Sequence, residues 1–246
     1  MRRVTDIPFV EVFPLAPGPM TVTISRSAPP ANSGAVDSAW SRLVAANPRY
    51  FDGPLLSVVN MGPASAEHQS NEIIVRRDRF SRLAVQPGVM TGVRILSVTA
   101  VLVARDTAGT QHILLGRRGR GTRIYDNMWE LGPSGGLQDP PAAVCSLDEG
   151  ALFSHLADEI SEEVGLHVEH GAPVCIARDH FAMSDDIVFV CDLGSLEDVR
   201  TKAGPANWEY SETTWVATGD IATFERAHER EIIAPTRAIV RALGWV

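Results

Sequence analysis

Residues 156–166 read Leu-Ala-Asp-Glu-Ile-Ser-Glu-Glu-Val-Gly-Leu, and this stretch decides the interpretation of the whole chain. At about 100° per residue, Glu159, Glu162 and Glu163 fall within one stripe of a helix. The adjoining apolar stripe consists of Phe153, Leu156, Ile160 and Val164. The carboxylates therefore line the seam where the helix meets the core. The pattern predicts a helix from about residue 149 to 164, and Gly165 ends it.

Three glutamates on one stripe have a direct electrostatic consequence. Like charges so close together repel one another and raise each other's affinity for protons, so a compensating cation is expected. All-oxygen ligands suit hard divalent ions, so magnesium is predicted, with manganese as the alternative. The E-x-x-E-E pattern also occurs in ordinary solvent-facing helices, so the neighbouring segments have to decide between the two interpretations.

Strand and turn patterns surround this helix. The strands predicted before it are residues 95–104 and 112–115, which form a hairpin. The elements predicted after it are a second hairpin of residues 174–181 and 187–193 with its turn at Ser184-Asp185-Asp186, a short strand at 214–216 and a closing helix at 232–243. Residues 137–150 are expected to form an irregular loop, because Asp139-Pro140-Pro141 prevents a continuous helix.

The first ninety residues have their own pattern. A short amphipathic helix is predicted at residues 36–46, with Trp40, Leu43 and Val44 facing inward. Extended segments follow at 55–59 and 72–76. Since Gln86-Pro87-Gly88 is the best junction, the sequence predicts a small α+β N-terminal region at residues 1–90 and a larger domain at residues 91–246.

The charge pattern excludes several classes of function. The chain has 22 Lys and Arg against 30 Asp and Glu, a formal net charge of −8. Between residues 137 and 198, 14 acidic residues accompany a single basic one, Arg178. Such a segment repels phosphate backbones, so no nucleic-acid partner is expected. Lys202 is the only lysine and lies beside Gly204-Pro205, which excludes a Walker-type phosphate loop.

Two further counts bear on location and on cysteine chemistry. The longest apolar stretch, residues 96–104, is too short to span a membrane, and the first residues lack the apolar core of a secretory signal, so a cytoplasmic protein with no membrane partner is expected. Cys145, Cys175 and Cys191 include no C-x-x-C pair. They are therefore expected to be buried free thiols rather than disulfides or zinc ligands.

The helix and its flanks resemble the Nudix hydrolases. The second half of the Nudix motif matches at Glu159-Ile160-x-Glu162-Glu163-x-Gly165-Leu166. The segments Trp129-Glu130-Leu131 and Gly135-Gly136 are similar to the family's lead-in, and the predicted strands stand in the expected order. The resemblance implies an α/β fold of the Nudix type, an α/β/α sandwich with a mixed sheet, with the small N-terminal region packed on it.

The first half of the motif departs from the family pattern. Asp158 stands where the motif has arginine, and the upstream glutamate is matched only by Glu149, one position out of register. Gly136 and Glu159 are separated by 22 residues, more than the motif has, so residues 137–150 carry an insertion. These departures leave the fold expectation in place and put retained catalysis in question.

The resemblance implies a set of site residues. Glu159, Glu162 and Glu163 would be catalytic and would hold the metal, and the Gly136 carbonyl would complete its coordination. An arginine-rich loop contains Arg117, Arg118, Arg120 and Arg123. It is expected to lie beside these carboxylates in the fold. Its side chains suit bidentate contacts with diphosphate oxygens. The predicted substrate-binding residues are Arg117, Arg118, Arg120, Glu209 and Glu212.

Residues 47–56, Asn-Pro-Arg-Tyr-Phe-Asp-Gly-Pro-Leu-Leu, are similar to a segment that precedes the Nudix domain in the uridine diphosphate glucose pyrophosphatase-like branch. That branch also has a lengthened loop before the helix and a motif without the arginine. The segment is expected to pack on the sheet, to bury Tyr50 and Phe51, and to supply part of the substrate pocket.

The resemblance to this branch implies a diphosphatase acting on a small-molecule nucleoside diphosphate compound. A uridine diphosphate sugar is the leading substrate, and it would give uridine monophosphate and a sugar 1-phosphate. Two alternatives stay open: hydrolysis of ADP-ribose or a coenzyme A derivative, and a non-catalytic Nudix module that binds a nucleotide or a protein. A homodimer and a monomer are both compatible with the sequence.

Overall fold

A computed structural model describes residues 7–28, 30–61, 71–205 and 207–246. Its strands are β1 (Val10–Pro14), β2 (Met20–Ser25), β3 (Pro54–Met61), β4 (Asn71–Arg79), β5 (Ile95–Arg105), β6 (Gln111–Arg118), β7 (Trp129–Leu131), β8 (Ser134–Gly136), β9 (Ser146–Asp148), β10 (Ala172–Asp179), β11 (Ser184–Ser195) and β12 (Tyr210–Ala217). Its helices are α1 (Gly34–Ala46), α2 (Phe80–Ala84), α3 (Glu149–Val164), α4 (Leu196–Arg200), α5 (Ile221–Ala227) and α6 (Ala234–Ala242).

All the strands belong to one mixed sheet with β5 at its centre. β5 pairs in parallel with β11 and antiparallel with β3, β6 and β8. From β11 the sheet continues through β10 to β1, and from β3 it continues through β4 and β2 to β9. β6 carries β7 and β12 on its other side. β5 therefore pairs with four other strands and lies between the helical layers on the two faces of the sheet.

Apolar side chains of β5 alternate between two cores, as expected for a strand covered on both faces. Leu96, Val98 and other residues of that face pack against α3. Val101 and Val103 belong to a second core that includes residues of α6. The predicted α/β architecture, with a mixed sheet between helical layers, is therefore confirmed.

Helix α3 has the predicted bounds, and both of its ends have a local explanation. The Asp148 side chain accepts a hydrogen bond from the Ala151 amide at 2.9 Å, which caps the N-terminus. Gly165 ends the helix with φ of 70°, a left-handed conformation that glycine adopts without strain. The preceding segment contains no helix before Glu149, as predicted from its prolines, although β9 within it pairs with β2.

The two hairpins are present, but the turn of the second was placed wrongly. It lies at residues 180–183, and Ser184-Asp185-Asp186 belongs to β11. The physical reason is Asp179, whose Oδ1 accepts hydrogen bonds from the amides of Phe181 and Ala182 at 2.7 and 3.1 Å. This Asp-centred turn closes the hairpin earlier than the sequence pattern indicated.

The N-terminal residues enter the same sheet as the rest of the chain. The predicted helix at 36–46 is α1, the extended segments are β3 and β4, and the closing helix is α6. Strands β1 and β2 were not predicted, and β1 pairs with β10 at the far edge. The region thus adds strands to the sheet instead of only packing on it. The boundary at residue 90 stays a prediction.

Three burial expectations need correction or qualification. Phe51 is 77% exposed and not buried. Tyr50 is half-buried and packs with the rings of Trp40 and Phe80 at centroid distances of 6.1 Å. Among the cysteines, Cys175 and Cys191 are buried as expected, whereas Cys145 is exposed, because it lies on the loop that leads to β9.

We expect Leu56→Ala to destabilise the whole chain in one transition. Leu56 is fully buried and shares its core with α3, so its truncation should lower the free energy of unfolding by about 2–5 kcal/mol. Val59→Ala, on the same strand but 57% exposed, is the matched control and should cost little. Denaturant unfolding followed by circular dichroism measures both; similar small losses would contradict a shared core.

Candidate active site

A cavity of about 470 Å³ opens on the α6 face of the sheet. Its lining comes from many parts of the chain: the last turn of α3, strands β5 to β8, the start of β12, the N-terminal segment around Tyr50, α2, the β10–β11 hairpin and α6. Of the residues predicted for the site, the cavity is lined by Arg118, Gly136, Glu163 and Glu209. The fold therefore brings together side chains from separate predicted groups.

The three glutamates of α3 have different surroundings. Glu163 is only 3% exposed and lines the cavity. Glu159 is half-buried and lies so close to β8 that a side chain at Gly135 would overlap its carboxylate. Glu162 is exposed to solvent beside them. The glycine of the lead-in is thus explained by the close approach of the helix to the strand.

Burial and mutual repulsion dominate the electrostatics of these carboxylates. Burial, together with the neighbouring carboxylates of Glu209, Glu130 and Glu159, raises the pKa of Glu163 to about 10 against the opposite effect of Arg118. Burial also raises the pKa of Glu159. A site that holds a protonated glutamate in the absence of a cation is one in which a divalent ion would replace the proton.

Arg118 reaches the cavity in a fixed orientation. Its Nη1 donates to both carboxylate oxygens of Glu130, at 2.7 and 2.8 Å. The hydroxyl of Tyr210 donates to the same carboxylate at 2.9 Å. Burial raises the pKa of Glu130, and the guanidinium of Arg118 lowers it. The Arg118 Nε is buried without a partner among the described residues.

Glu130 is a functional residue to which sequence reasoning gave no role. Its only signal was its position in the Trp129-Glu130-Leu131 lead-in. A glutamate that is 4% exposed in the middle of an otherwise apolar strand needs a charged partner, and Arg118 on the neighbouring strand is that partner. The pairing depends on the register of β6 and β7, which the sequence did not specify.

The other predicted substrate-binding residues lie away from the cavity lining. Arg117 points to the opposite face, where it contacts Glu231 at 3.2 Å and the ring of Trp129. Arg120 is exposed. Glu212 is also exposed and pairs with Arg117 in the β12–β6 register. The alternation of side chains along β6 separates Arg117 from Arg118.

A second group of polar residues also lines the cavity. The Tyr125 hydroxyl donates to Asp179 Oδ2 at 2.5 Å, and Arg123 donates to the Ala182 carbonyl at 2.8 Å. Asp186 accepts a hydrogen bond from the Ser184 hydroxyl at 2.9 Å. Asp186 and Arg123 both line the cavity, and neither was among the predicted site residues.

Aromatic side chains form the mouth of the cavity. Tyr50 and Phe51 come from the N-terminal segment, and Trp208 comes from the loop before β12. Phe51 and Trp208 are 77% and 51% exposed. The Arg49 guanidinium lies over the Trp208 ring, 4.9 Å from its centroid, which links the N-terminal segment to the opposite rim. The N-terminal segment therefore lines the cavity, as expected.

The donor set fits a divalent cation by its chemistry. Glu159, Glu163 and Glu209 interact electrostatically, and Glu163, Glu209 and Gly136 line the cavity. In their present arrangement, no three acidic, histidine or cysteine side chains of the described ranges converge closely enough to bind a metal. The ligand assignment to Glu159, Glu162, Glu163 and Gly136 stays a prediction.

No protein-family model matches the chain, and no curated protein matches it. It is similar to solved structures of Nudix hydrolases. One is RenU, a Nudix hydrolase from M. smegmatis, with 16% identity, a TM-score of 0.42, and coverage of 61% of this chain and 83% of that chain. The MutT protein from Methanosarcina mazei Go1 has 24% identity, a TM-score of 0.43, and coverage of 61% and 91%.

A third similar structure is a Nudix hydrolase from Alicyclobacillus acidocaldarius, with 17% identity, a TM-score of 0.43, and coverage of 63% of this chain and 92% of that chain. All three identities are below 25%, too low to transfer a substrate or a mechanism. A separate observation concerns membranes: no helix within the described ranges is long and apolar enough to cross one.

We expect the Asp186→Asn variant to gain stability relative to wild type as the pH rises. Burial, together with the carboxylates of Asp179, Asp185 and Glu130, raises the pKa of Asp186 to about 7 against the opposite effect of the Ser184 hydrogen bond. A raised pKa in the folded state means that the stability contributed by the protonated form is lost as the pH rises through about 7. Thermal melting at pH 5 and pH 8 measures the effect.

The difference in melting temperature between Asp186→Asn and wild type should therefore be larger at pH 8 than at pH 5. Asp220→Asn, at an exposed position outside the cavity, is the control, and its difference should be the same at both pH values. An Asp186→Asn difference that does not change with pH would show that Asp186 is ionised throughout.

Proposed function

We propose that this protein is a Nudix-type diphosphatase that hydrolyses a nucleoside diphosphate linked to a second group, with a uridine diphosphate sugar as the substrate. The observation that carries the proposal is the buried Glu163, which lies among the carboxylates of Glu130, Glu159 and Glu209 and faces the fixed guanidinium of Arg118 across one cavity. Carboxylates and a guanidinium on one cavity suit a metal-bound diphosphate.

Different residues would bind the metal and the diphosphate. Glu159, Glu162 and Glu163, with the Gly136 carbonyl, would hold magnesium or manganese, which supplies Lewis acidity toward the phosphate oxygens. Arg118, held by Glu130 and Tyr210, binds a diphosphate oxygen with the donors that Glu130 leaves free. Since its orientation is fixed before binding, little conformational entropy is lost when the substrate arrives. Water adds across the diphosphate and gives a nucleoside monophosphate and a sugar 1-phosphate.

The mouth of the cavity suits a nucleobase. Tyr50, Phe51 and Trp208 present aromatic surface there, and two of these rings are largely exposed. Bases stack on aromatic side chains, and each stacked base contributes about 1–3 kcal/mol. This role for the N-terminal segment is compatible with the boundary proposed at residue 90, because the segment would complete the pocket of the larger domain.

One observation favours a second candidate, a non-catalytic Nudix module that binds a nucleotide. Asp158 replaces the arginine of the motif and is exposed on α3, so no cationic partner stands at that position beside the glutamates. Retention of Glu159, Glu162 and Glu163 opposes this candidate. The two differ in a measurable way, since a binding module would hold nucleotide tightly without magnesium and without turnover.

We expect glutamine substitutions at Glu159, Glu162 or Glu163 to abolish or severely reduce turnover while the fold is retained. Each removes a charge from the metal site without changing shape, which costs several kcal/mol of transition-state stabilisation, or on the order of a hundredfold or more in kcat/KM. Glu169→Gln, an exposed glutamate beyond α3, is the matched control. Hydrolysis by all three variants at the wild-type rate would contradict the catalytic assignment. Unfolding of the variants would show that the three glutamates have a structural role.

We expect uridine diphosphate glucose or galactose to give the highest turnover among nucleoside diphosphate compounds with magnesium. Chelation of the metal should abolish this turnover, because the carboxylates alone repel the diphosphate. Release of monophosphates from a panel that includes ADP-ribose and coenzyme A measures the preference. Preferential hydrolysis of ADP-ribose would overturn the sugar-nucleotide proposal while leaving a diphosphatase. Tight nucleotide binding without metal or turnover would favour the binding module.

A further inference from the structure

The floor of the cavity carries hydroxyl groups and one carboxyl group on one face of the sheet, and we call this set the hydroxyl floor. It consists of Ser97 and Thr99 on β5, Ser134 on β8, and Ser184 and Asp186 on β11. Strand alternation places Ser97 and Thr99 on this face, while Leu96 and Val98 face the α3 core. A polar row in the middle of the central strand departs from the apolar pattern that a strand covered on both faces requires.

The hydroxyl floor has unused hydrogen-bonding capacity. Ser97 and Thr99 are 7% and 5% exposed, and no described residue hydrogen-bonds to their side-chain oxygens. Asp186 has one side-chain partner within the described ranges, the hydroxyl of Ser184. The hydroxyl oxygens of Ser97 and Thr99 are not sealed from solvent, so their hydrogen-bonding capacity is open to the cavity. Hydroxyl groups that line a cavity without protein partners are available to a ligand that enters it.

The chemistry of the hydroxyl floor selects the class of ligand. Asp186 accepts hydrogen bonds, and serine and threonine hydroxyls both donate and accept. An apolar group would leave all of them unpaired. A neutral polyhydroxylated group is the ligand that satisfies both the carboxylate and the hydroxyls. The guanidinium of Arg118, which also lines the cavity, suits the phosphate.

The position of the hydroxyl floor matches the part of the substrate next to the diphosphate. In the sheet register, Ser97 pairs with Asp186 on one side and with Gly136 on the other. Two strand spacings of about 4.8 Å place Asp186 about 10 Å from Gly136. This distance accommodates one sugar ring together with the phosphate that it carries.

We infer that the hydroxyl floor binds the sugar ring of the substrate, with Asp186 accepting hydrogen bonds from the sugar hydroxyls and Thr99 contributing a further hydrogen bond. This inference rests on the proposed function, because a phosphate-linked sugar is assumed to be the group beyond the diphosphate. It makes Asp186 and Thr99 determinants of sugar specificity and leaves the base to the aromatic mouth.

The experiment measures the binding of the two product halves separately. Glucose 1-phosphate and uridine monophosphate are titrated by calorimetry, at fixed magnesium, into the full-length wild type and into Asp186→Leu and Thr99→Val. Thr99→Val removes a hydroxyl without a change in shape, and Thr213→Val, on β12 outside the cavity, is its matched control. Asp186→Leu removes every hydrogen bond of the carboxylate. Circular dichroism confirms that each variant is folded.

The expected result is selective. The affinity for glucose 1-phosphate should fall about hundredfold in Asp186→Leu and about tenfold in Thr99→Val, while the affinity for uridine monophosphate stays within about twofold. Thr213→Val should bind both as wild type does. Unchanged binding of glucose 1-phosphate, equal losses for both probes, or no binding of glucose 1-phosphate to wild type at millimolar concentration would overturn the inference.

The proposed function is judged by a different measurement, the hydrolysis of uridine diphosphate glucose by wild type. Selective loss of glucose 1-phosphate binding in a protein that does not hydrolyse this compound would overturn the diphosphatase and support the hydroxyl floor as a sugar-phosphate site. Hydrolysis of uridine diphosphate glucose at unchanged KM by Asp186→Leu would support the diphosphatase and overturn the hydroxyl floor.

Discussion

The close packing of helix α3 against strand β8 is the constraint on which the site depends. The Glu159 carboxylate lies where a side chain at Gly135 would be, so the glycine leaves room for it between helix and strand. This approach brings the last turn of α3 to the edge of the cavity and buries Glu163 there. A carboxylate in that position is costly unless something compensates for it, and the rest of the site consists of groups that do so.

Two positive charges would compensate for the buried carboxylate, namely the guanidinium of Arg118 and a bound divalent cation. Arg118 is held by Glu130 and Tyr210, so part of its charge is already neutralised. The guanidinium of Arg118 still lowers the pKa of Glu163. This effect is smaller than the opposite effects of burial and of repulsion by Glu209 and Glu130. A site with this balance gains by binding a divalent ion, which is the physical basis of the proposed metal-dependent chemistry.

The cavity has three chemically distinct parts. Carboxylates and Arg118 form one part, the hydroxyl floor lies on the central strands, and aromatic rings from the N-terminal segment and from the loop before β12 form the mouth. A nucleoside diphosphate sugar also has three parts of different chemistry, namely a charged diphosphate, a polyhydroxylated ring and an aromatic base. The correspondence supports a role for the N-terminal residues in the proposed function.

Local patterns in the sequence determined a large part of the fold. The bounds of α3 follow from its apolar stripe, from Asp148 and from Gly165, all of which act within a turn or two of the helix. The hairpin of β5 and β6 follows from short-range alternation in the same way. The Nudix resemblance rests on the same local segments, and it indicated Glu163, Gly136, Arg118 and Glu209 before their common cavity was known.

Tertiary structure decided the features that depend on pairing between distant strands. Whether Arg117 or Arg118 faces the cavity is set by the register of β6, since neighbouring side chains on a strand point to opposite faces. The partnership of Glu130 with Arg118 and the row of Asp186, Ser97 and Gly136 arise in the same way. Strand β1 belongs to the sheet because it pairs with the edge of β10. Sequence periodicity reports which residues are buried, but register and long-range pairing are collective properties of the sheet, and they are settled only when the strands meet.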